Sequence, residues 1–207
     1  AKALKKFQGE GDHLFAKTDS LLDYKHKQED FVDYYFHQTI IPHKFSQIGP
    51  RMQKGDLNGD GHSDIIIGST NTHPTQVFLR DGDRYVQTEI LGLTTMKAFS
   101  EADFAILDSD GDGDQDVVAI AGGYENFENE YYHYLYENTG GAFERKELPL
   151  PAFPASVVRT IDFDKDGDLD LFIGSRIKTG QFPLAENSWI LVNDEGKFHK
   201  EKTMSYD

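Results

Sequence analysis

Three acidic segments of nine residues, spaced roughly 50 residues apart, constrain the fold of this chain more than any other feature. They read DLNGDGHSD at 56–64 (loop 1), DSDGDGDQD at 108–116 (loop 2) and DFDKDGDLD at 162–170 (loop 3). All three fit the pattern DxDxDGxxD, with Asn58 as the only exchange, and their first aspartates lie 52 and 54 residues apart. A single acidic run usually forms a solvated loop. A run that recurs at a nearly constant period indicates a repeated structural unit.

The spacing of the oxygen-bearing side chains predicts a calcium loop. Ca²⁺ takes about six to eight oxygen ligands at about 2.3–2.6 Å, and a short loop can surround it when oxygens recur at alternate positions. Side chains at positions 1, 3, 5 and 9 and the main-chain carbonyl at position 7 would supply these oxygens, and glycine at position 6 permits a sharp turn. The predicted ligands are Asp56, Asn58, Asp60, the carbonyl of His62 and Asp64 in loop 1; Asp108, Asp110, Asp112, the carbonyl of Asp114 and Asp116 in loop 2; and Asp162, Asp164, Asp166, the carbonyl of Asp168 and Asp170 in loop 3. We therefore expect up to three bound Ca²⁺ ions, with weaker affinity at loop 1 because Asn58 removes one carboxylate.

Two other metal loops share part of this pattern. An EF-hand needs a glutamate at position 12 and a helix on each side of the loop, but position 12 is Ile67, Ala119 or Ile173 here. The residues after the ninth positions read IIIG, VVAIAGG and LFIG, which favours buried β-strands. A Mg²⁺ site keeps several waters and uses fewer carboxylates than these loops offer. Both alternatives fit the sequence less well than a calcium loop between strands.

Each period contains the elements of a four-stranded antiparallel unit. One strand enters the acidic loop, a hydrophobic strand leaves it, and two further strands are joined by a short turn. The turns are centred on Asp81-Gly82, Gly140-Gly141 and Glu195-Gly196, dipeptides that favour β-hairpins. Four antiparallel strands per period are typical of a β-propeller blade. We therefore predict an all-β fold of three propeller blades.

The three units resemble the FG-GAP/VCBS repeats, which form the calcium-loop blades of integrin α-subunit heads and of many secreted bacterial proteins. The resemblance is carried by GDLNGDGHSDIIIG at 55–68, by the matching stretches of loops 2 and 3, and by the hairpins YENTGGAF and VNDEGKF, which resemble the family's LxNxGxGxF. It covers about residues 42–200. The segment PHKFSQIGPRMQKGDLNGDG at 42–61 further resembles large VCBS-repeat proteins of Bacteroidetes-type bacteria. The resemblance implies calcium-binding propeller blades.

The expected organisation is an N-terminal segment, 1–41, followed by the repeat region, 42–207. The repeats divide at about 42–100, 101–153 and 154–207. Residues 1–41 contain no acidic loop, and they either supply strands to a degenerate blade or pack across an edge of the array. Closed propellers have about four to eight blades, so we expect the remainder of a longer parent chain.

Charge and composition narrow the classes of partner. The net charge is −15, which disfavours nucleic acid and anionic membrane surfaces; three Ca²⁺ ions would reduce it to −9. The chain contains no cysteine and no apolar run of 18 residues, so neither a disulfide nor a membrane span is predicted. Oxygen loops of extracellular modules bind Ca²⁺ at about 10⁻⁴–10⁻³ M. We therefore expect an exported protein, extracellular, on the cell surface or periplasmic.

Function is expected on the face opposite the acidic loops, where the longer connections lie. Protein or glycan contacts are assigned to Tyr124, Asn126, Phe127, Glu128, Arg176 and Lys178. Two alternatives remain open: a propeller-based lyase or hydrolase using acids such as Glu125, Glu128 and Glu130, and a purely structural spacer. No GxSxG, P-loop or dinucleotide motif is present, so the preferred interpretation is a non-enzymatic binding module.

The remaining aromatic and histidine residues are interpreted as packing groups. The eight histidines show no HxH or HExxH spacing, so no zinc site is predicted. The tyrosine-rich run YYHYLYE at 131–137, with His133 inside it, is expected to pack between blades. Trp189 begins a hydrophobic strand and is expected in the core.

Overall fold

Three antiparallel β-sheets account for the regular structure of the chain. The computed structural model describes residues 21–27, 49–70, 72–94, 100–123 and 131–204. All twelve elements in this part of the chain are strands, and each sheet contains four consecutive strands in sequence order. The predicted all-β architecture of three four-stranded units is therefore confirmed.

The strands follow the chain in three groups of four. The first sheet consists of β1 (Met52–Gly55), β2 (Asp64–Ile67), β3 (Gln76–Asp81) and β4 (Arg84–Thr88). The second consists of β5 (Glu101–Leu107), β6 (Asp116–Ala121), β7 (Tyr134–Asn138) and β8 (Phe143–Glu147). The third consists of β9 (Ala155–Ile161), β10 (Asp170–Ser175), β11 (Ser188–Asp194) and β12 (Lys197–Met204). We call these sheets blades 1, 2 and 3; they fall within the three predicted repeats, whose boundaries stay predictions.

Burial decreases from the second strand of each blade to the fourth. All six residues of β6 are buried, and β2 and β10 are nearly as enclosed. Their β-branched and apolar side chains pack on both faces of the sheet, which is why these runs show no polar alternation. The fourth strands β4, β8 and β12 are largely exposed, and β8 and β12 each carry several charged residues. Charge on an outer strand disfavours edge-to-edge pairing with another sheet.

Short turns close the outer hairpins at the predicted places. Asp194 pairs with Lys197, so Glu195 and Gly196 form a two-residue turn with φ of 48° and 83°. Positive φ at both central residues is the signature of a type I′ turn, which matches the twist of the strands it joins. In blade 1, Asp81 pairs with Arg84, which places the turn one residue later than the dipeptide predicted.

Neighbouring blades pack face to face through two hydrophobic clusters. One cluster joins blades 1 and 2 and includes Ile66, Val77, Phe104, Val117 and Tyr136. The other joins blades 2 and 3 and includes Leu107, Val118, Ile120, Val158, Leu171, Ile173 and Leu191. The sequence predicts Trp189 in the core, and it lies half-buried at the margin of the second cluster. Each fully buried Val, Leu or Ile contributes about 1.5–3 kcal/mol, so these clusters hold the array together.

The tyrosine-rich run packs largely as expected. Tyr132, Tyr134 and Tyr136 form a ladder with ring centroids 6.1 and 6.0 Å apart. Tyr136 is buried in the cluster between blades 1 and 2, whereas Tyr132 is exposed. Tyr131 instead donates a hydrogen bond to the carbonyl of Gly123 at 2.8 Å and lies 2.8 Å from the Thr179 hydroxyl of blade 3.

The first strands of the three blades are the innermost. β5 contacts both β1 and β9, while β4, β8 and β12 lie at the outside. In an antiparallel meander alternate turns lie at opposite ends, so the acidic loops and the outer hairpins share one face of the array. We call this the loop face, and the other end the opposite face.

The described part of the N-terminal segment runs along the outside of blade 1. Leu22 forms a parallel bridge with Tyr85, and the amide of Tyr85 donates to the carbonyl of Leu21 at 2.8 Å. The Tyr24 ring meets Phe78 edge-on, with centroids 6.1 Å apart. The rest of the predicted 1–41 segment lies outside the described residues.

Candidate metal centres

All three acidic loops fold in the same way at their centre. The position-6 glycines Gly61, Gly113 and Gly167 have φ of 82°, 96° and 105°. Glycine reaches this left-handed region without the steric cost that a Cβ imposes. The amide of position 7 then donates to the position-5 carboxylate, from His62 to Asp60 at 2.8 Å, from Asp114 to Asp112 at 2.8 Å and from Asp168 to Asp166 at 3.0 Å. The repeated sequence pattern therefore produces a repeated loop geometry.

Loops 2 and 3 each bring three carboxylates together. One oxygen each from Asp108, Asp110 and Asp116, at positions 1, 3 and 9 of loop 2, lies within 4.8 Å of the other two. In loop 3 the carboxylates that converge in this way are at positions 1, 3 and 5, Asp162, Asp164 and Asp166. Two oxygens that each lie about 2.4 Å from one ion are at most about 4.8 Å apart. The donor set is all-oxygen and anionic, as a hard divalent cation requires.

Loop 1 is arranged differently. Asp56 accepts three main-chain hydrogen bonds, from Gly59 at 2.9 Å, Asp60 at 3.1 Å and Gly61 at 2.7 Å. The Asn58 amide donates to Asp60 at 3.0 Å, a contact that an aspartate at position 3 could not make. Within the part of the chain that the structure describes, the acids of loop 1 do not form a triad as close as those of loops 2 and 3.

The ninth-position aspartates are buried, and each joins its own acidic loop to the third strand of the blade. Asp64, Asp116 and Asp170 are at most 1% exposed. One oxygen of each accepts the amide of loop position 2, from Leu57, Ser109 and Phe163 at 2.9, 2.9 and 2.7 Å. The other oxygen accepts an amide of the third strand, from Arg80, Asn138 and Asn193 at 2.8, 2.8 and 2.9 Å. The sequence predicted these residues only as ligands, and the structure gives them this second, structural contact.

The environments of these carboxylates shift their pKa values in both directions. Burial raises the pKa of Asp64 and of Asp116 above the usual range. Desolvation, together with the neighbouring charges of Asp166 and Asp170, raises the pKa of Asp164. The hydrogen bond from Asn58 lowers the pKa of Asp60. The Asn58 hydrogen bond therefore favours the charged form of Asp60, whereas desolvation and like charge disfavour the charged form of Asp164.

Comparison with known families now identifies the repeat. A family model described as FG-GAP-like repeat matches residues 56–119 and again residues 108–173, which together cover more than half of the chain. The chain belongs to the FG-GAP-like repeat family. It has no match among curated proteins, and the resemblance to Bacteroidetes-type proteins stays a prediction. FG-GAP-like repeats are generally non-catalytic and are typical of extracellular or surface proteins.

Only two of the predicted contact residues of this FG-GAP array, Arg176 and Lys178, lie in the part of the chain that the structure describes. Tyr124, Glu125, Asn126, Phe127, Glu128 and Glu130 lie outside the described residues. Arg176 is half-buried, and its guanidinium donates to the Ser156 hydroxyl at 3.4 Å. Burial and the nearby charge of Arg51 lower the pKa of Arg176. The amide of Lys178 donates to the carbonyl of Leu184 at 2.8 Å, so Lys178 belongs to a folded turn.

A polar groove runs between the inner strands of the FG-GAP blades. Its volume is about 480 Å³, and its polar lining comes from Arg51, Gln53, Asp103, Arg159 and Thr160. Asp103 accepts hydrogen bonds from the Val158 amide at 3.2 Å and the Arg159 guanidinium at 2.6 Å, which ties blade 2 to blade 3. None of the described residues forms a helix of the length and hydrophobicity needed to cross a membrane.

Sequence reasoning missed three residues that connect the FG-GAP loops to their neighbours. Gln115 at position 8 of loop 2, and Asn138 and Asn193 in the outer hairpins, each hydrogen-bond the main chain of the preceding blade's loop. The two asparagines occupy the same place in YENTGGAF and VNDEGKF, which was an available signal. No such signal pointed to Gln115, because the residue at position 8 is not repeated: it is Ser63 in loop 1 and Leu169 in loop 3.

Proposed function

We propose that this chain is a calcium-stabilised, non-enzymatic propeller segment of an exported protein, which presents a binding surface for a protein or glycan. The observation that carries the proposal is the convergence of three carboxylates in loop 2 and again in loop 3, on loops that share the same turn at position 6. Such crowding costs about 1 kcal/mol for each pair of charges 4 Å apart even in water. A divalent cation removes this repulsion.

The residues that would hold the ion are the predicted ligands. In loop 2 these are the carboxylates of Asp108, Asp110, Asp112 and Asp116 with the Asp114 carbonyl, and loops 1 and 3 use the corresponding positions. When bound, the ion supplies positive charge that neutralises the loop and fixes the connection between the first and second strands of the blade. Binding to the folded state alone stabilises it by about 2.7 kcal/mol per site when the free ion is at 100 times Kd.

Titration of Ca²⁺ into chelator-stripped protein tests this proposal. We expect nearly three sites, a rise in melting temperature on saturation and little response to Mg²⁺, because Mg²⁺ demands smaller octahedral sites. Asp108→Asn removes one charge from a converging triad. It should lower the stoichiometry by one and reduce the calcium-dependent stabilisation by about a third.

Asp83→Asn is the matched control. It removes the same charge from the exposed turn between β3 and β4, and Asp83 is not among the predicted ligands. Its calcium stoichiometry should equal that of the unmodified chain. An unmodified chain that binds no Ca²⁺, or an Asp108→Asn variant that binds as much, contradicts the proposal.

The polar groove supports the binding part of the proposal. Its guanidinium, amide, carboxylate and hydroxyl groups can hydrogen-bond a polar ligand, and the inner strands beneath them form a rigid base. Arrays of glycans and of extracellular proteins, probed with the calcium-loaded chain, should identify a ligand whose binding Arg51→Ala weakens. A ligand that binds equally to the Arg51→Ala variant would place the binding surface elsewhere.

The calcium requirement also supports export. Sites with Kd of about 10⁻⁴–10⁻³ M are filled only where calcium is abundant, outside the cytoplasm. A measured Kd in the low micromolar range or below would remove this argument for an extracellular, cell-surface or periplasmic location.

A further inference from the structure

Side chains of the next blade hydrogen-bond the main chain of the acidic loop in blade 1 and in blade 2. Asn138 is 3% exposed and lies at the end of β7 in blade 2. Its side-chain amide donates to the carbonyl of Leu57, position 2 of loop 1, at 3.3 Å. Its side-chain oxygen accepts the Gly141 amide at 2.8 Å, which anchors it in its own hairpin. The residue therefore joins a rigid turn of blade 2 to the main chain of loop 1.

Gln115 makes a second connection to loop 1. Its side-chain oxygen accepts the amide of Asp56, position 1 of the loop, at 2.7 Å. The approach needs a glycine just before the loop, because a Cβ on Gly55 would lie 2.7 Å from this oxygen and 2.8 Å from Ile106. The main chain that carries the first predicted ligand is thus fixed by blade 2.

The same residues are also attached to loop 2. The main-chain amide of Asn138 donates to the Asp116 carboxylate at 2.8 Å, and Asp116 is a member of the loop 2 triad. Gln115 precedes Asp116 directly in the chain. An ion that orders the carboxylates of loop 2 therefore orders the residues that hold the main chain of loop 1.

The connection between blades 2 and 3 is similar but lacks the hydrogen bond that Gln115 makes. The Asn193 side chain donates to the carbonyl of Ser109, position 2 of loop 2, at 2.7 Å, and the Asn193 amide donates to Asp170 at 2.9 Å. Position 8 of loop 3 is Leu169, which has no side-chain acceptor and is 39% exposed. Loop 2 therefore receives one such side-chain hydrogen bond and loop 1 receives two.

We propose that Gln115 and Asn138 are positioning residues for the first calcium loop, and that they couple ion binding at loop 1 to ion binding at loop 2. The inference rests on the proposed calcium function. Coupling is reciprocal, so an ion in loop 2 raises the affinity of loop 1 and an ion in loop 1 raises that of loop 2 by the same factor. Because loop 3 lacks the glutamine, its coupling to loop 2 is smaller.

Amide signals of the position-6 glycines measure each loop separately. The Gly61 amide donates to Asp56 at 2.7 Å and the Gly113 amide to Asp108 at 3.1 Å, so each reports on a predicted ligand of its own loop. Ca²⁺ titration followed by ¹H–¹⁵N NMR should give separate midpoints for Gly61, Gly113 and Gly167. In Gln115→Leu, which places the residue type of Leu169 at position 8, we expect the Gly61 midpoint to rise roughly two- to tenfold, the equivalent of one net hydrogen bond. The Gly167 midpoint should not change.

Two further variants separate positioning from general destabilisation. Gln115→Glu keeps the acceptor for the Asp56 amide and should retain the Gly61 midpoint. Ser63→Ala changes position 8 of loop 1, which is exposed, and should leave all three midpoints unchanged. Asp60→Asn, which removes a carboxylate from loop 1, should raise the Gly113 midpoint through the reciprocal coupling and leave the Gly167 midpoint nearly unchanged.

The possible outcomes distinguish a failure of the proposed calcium function from a failure of the positioning role of Gln115. No calcium-dependent shift in the unmodified chain overturns the calcium function and this inference with it. Shifts that occur in the unmodified chain and persist at the same Gly61 midpoint in Gln115→Leu overturn the positioning role alone. Equal midpoint changes at all three glycines would mean that Gln115 stabilises the whole array, which also overturns the inference.

Discussion

At the scale of single residues, Lys165 adopts the shared loop geometry without the glycine that the other two loops have at its position. It occupies position 4 of loop 3 with φ of 68°, where loops 1 and 2 have Gly59 and Gly111 at 74° and 76°. A residue with a Cβ in this left-handed region costs about 1–2 kcal/mol. The lysine also carries a positive charge at position 4, between Asp164 and Asp166 in the sequence.

The substitution Lys165→Gly should stabilise the calcium-loaded protein. We expect the free energy of unfolding at saturating Ca²⁺ to rise by about 1 kcal/mol, because the strain is removed while glycine adds some entropy to the unfolded chain. Urea denaturation measures this change. The reverse substitution Gly111→Lys should lower the stability by a similar amount, and a loss of stability in Lys165→Gly would contradict the assignment of strain.

Local sequence predicted the turn within each acidic loop, but not the distant hydrogen-bond partners of the loop aspartates. The position-6 glycines and the alternating aspartates follow from the geometry of a nine-residue loop, which is encoded within the loop itself. The burial of Asp64, Asp116 and Asp170 depends on amides of the third strand, 16 to 23 residues later in the chain. No local pattern specifies which distant amide will lie opposite a carboxylate.

At the scale of elements, Glu101 joins the start of β5 to the connection between β2 and β3. Its side-chain oxygen accepts hydrogen bonds from the Ser69 amide and the Thr75 hydroxyl, both at 2.7 Å. Burial raises the pKa of Glu101 to about 7, and its proximity adds to the effect of burial in raising the pKa of Tyr136. The contact was not predicted, because its partners lie 26 and 32 residues earlier in the chain.

The raised pKa predicts a stability that falls as the pH rises. Between the ordinary value of 4.5 and about 7, the folded protein binds more protons at Glu101 than the unfolded chain does. The free energy of unfolding therefore decreases over this interval, by on the order of 3 kcal/mol from this group. In Glu101→Gln, which keeps an acceptor oxygen, this dependence should disappear from urea denaturation measured between pH 4.5 and 8. A variant with the same pH profile as the unmodified chain would contradict the assignment.

His133 makes stability depend on pH in the opposite direction, so its contribution must be measured separately from that of Glu101. Its ring accepts the Ala121 amide at 3.2 Å through Nδ1, so the neutral ring carries its hydrogen on Nε2, and it packs against Phe153 with centroids 4.6 Å apart. Burial lowers its pKa to about 4 from the ordinary 6.5. The folded state thus binds fewer protons than the unfolded chain between these values, and stability is lost as the pH falls from 6.5 to about 4.

The substitution His133→Phe removes this acid-side loss. It should cost about 1–3 kcal/mol at neutral pH, because the buried Ala121 amide loses its acceptor. Below pH 6.5 the dependence due to Glu101 should then no longer be opposed by His133, and stability should rise as the pH falls. Denaturation profiles of the two single variants, compared with the double variant, would show whether the two effects are independent. An unchanged acid-side slope in His133→Phe would contradict the burial-driven shift.

At the scale of the whole molecule, equivalent positions of the three repeats differ in burial, because the blades have different neighbours. Position 2 is Leu57 in blade 1 and Ser109 in blade 2, and these are 0% and 3% exposed because the next blade covers them. The corresponding Phe163 of blade 3 is 37% exposed, and Ile161, which corresponds to the buried Leu107, is 45% exposed. The repeat period predicted three equivalent blades, but exposure depends on neighbours and cannot be deduced from one blade's sequence.

This difference predicts unequal costs for equivalent substitutions. Leu57→Ala should lower the free energy of unfolding by about 2–5 kcal/mol, because it leaves a cavity between blades 1 and 2. Phe163→Ala should cost less than about 1 kcal/mol, because its side chain is not enclosed. Urea denaturation at several protein concentrations measures both. A large and concentration-dependent cost of Phe163→Ala would mean that a second copy covers this face of blade 3, and a large cost independent of concentration would mean that another part of the same chain does.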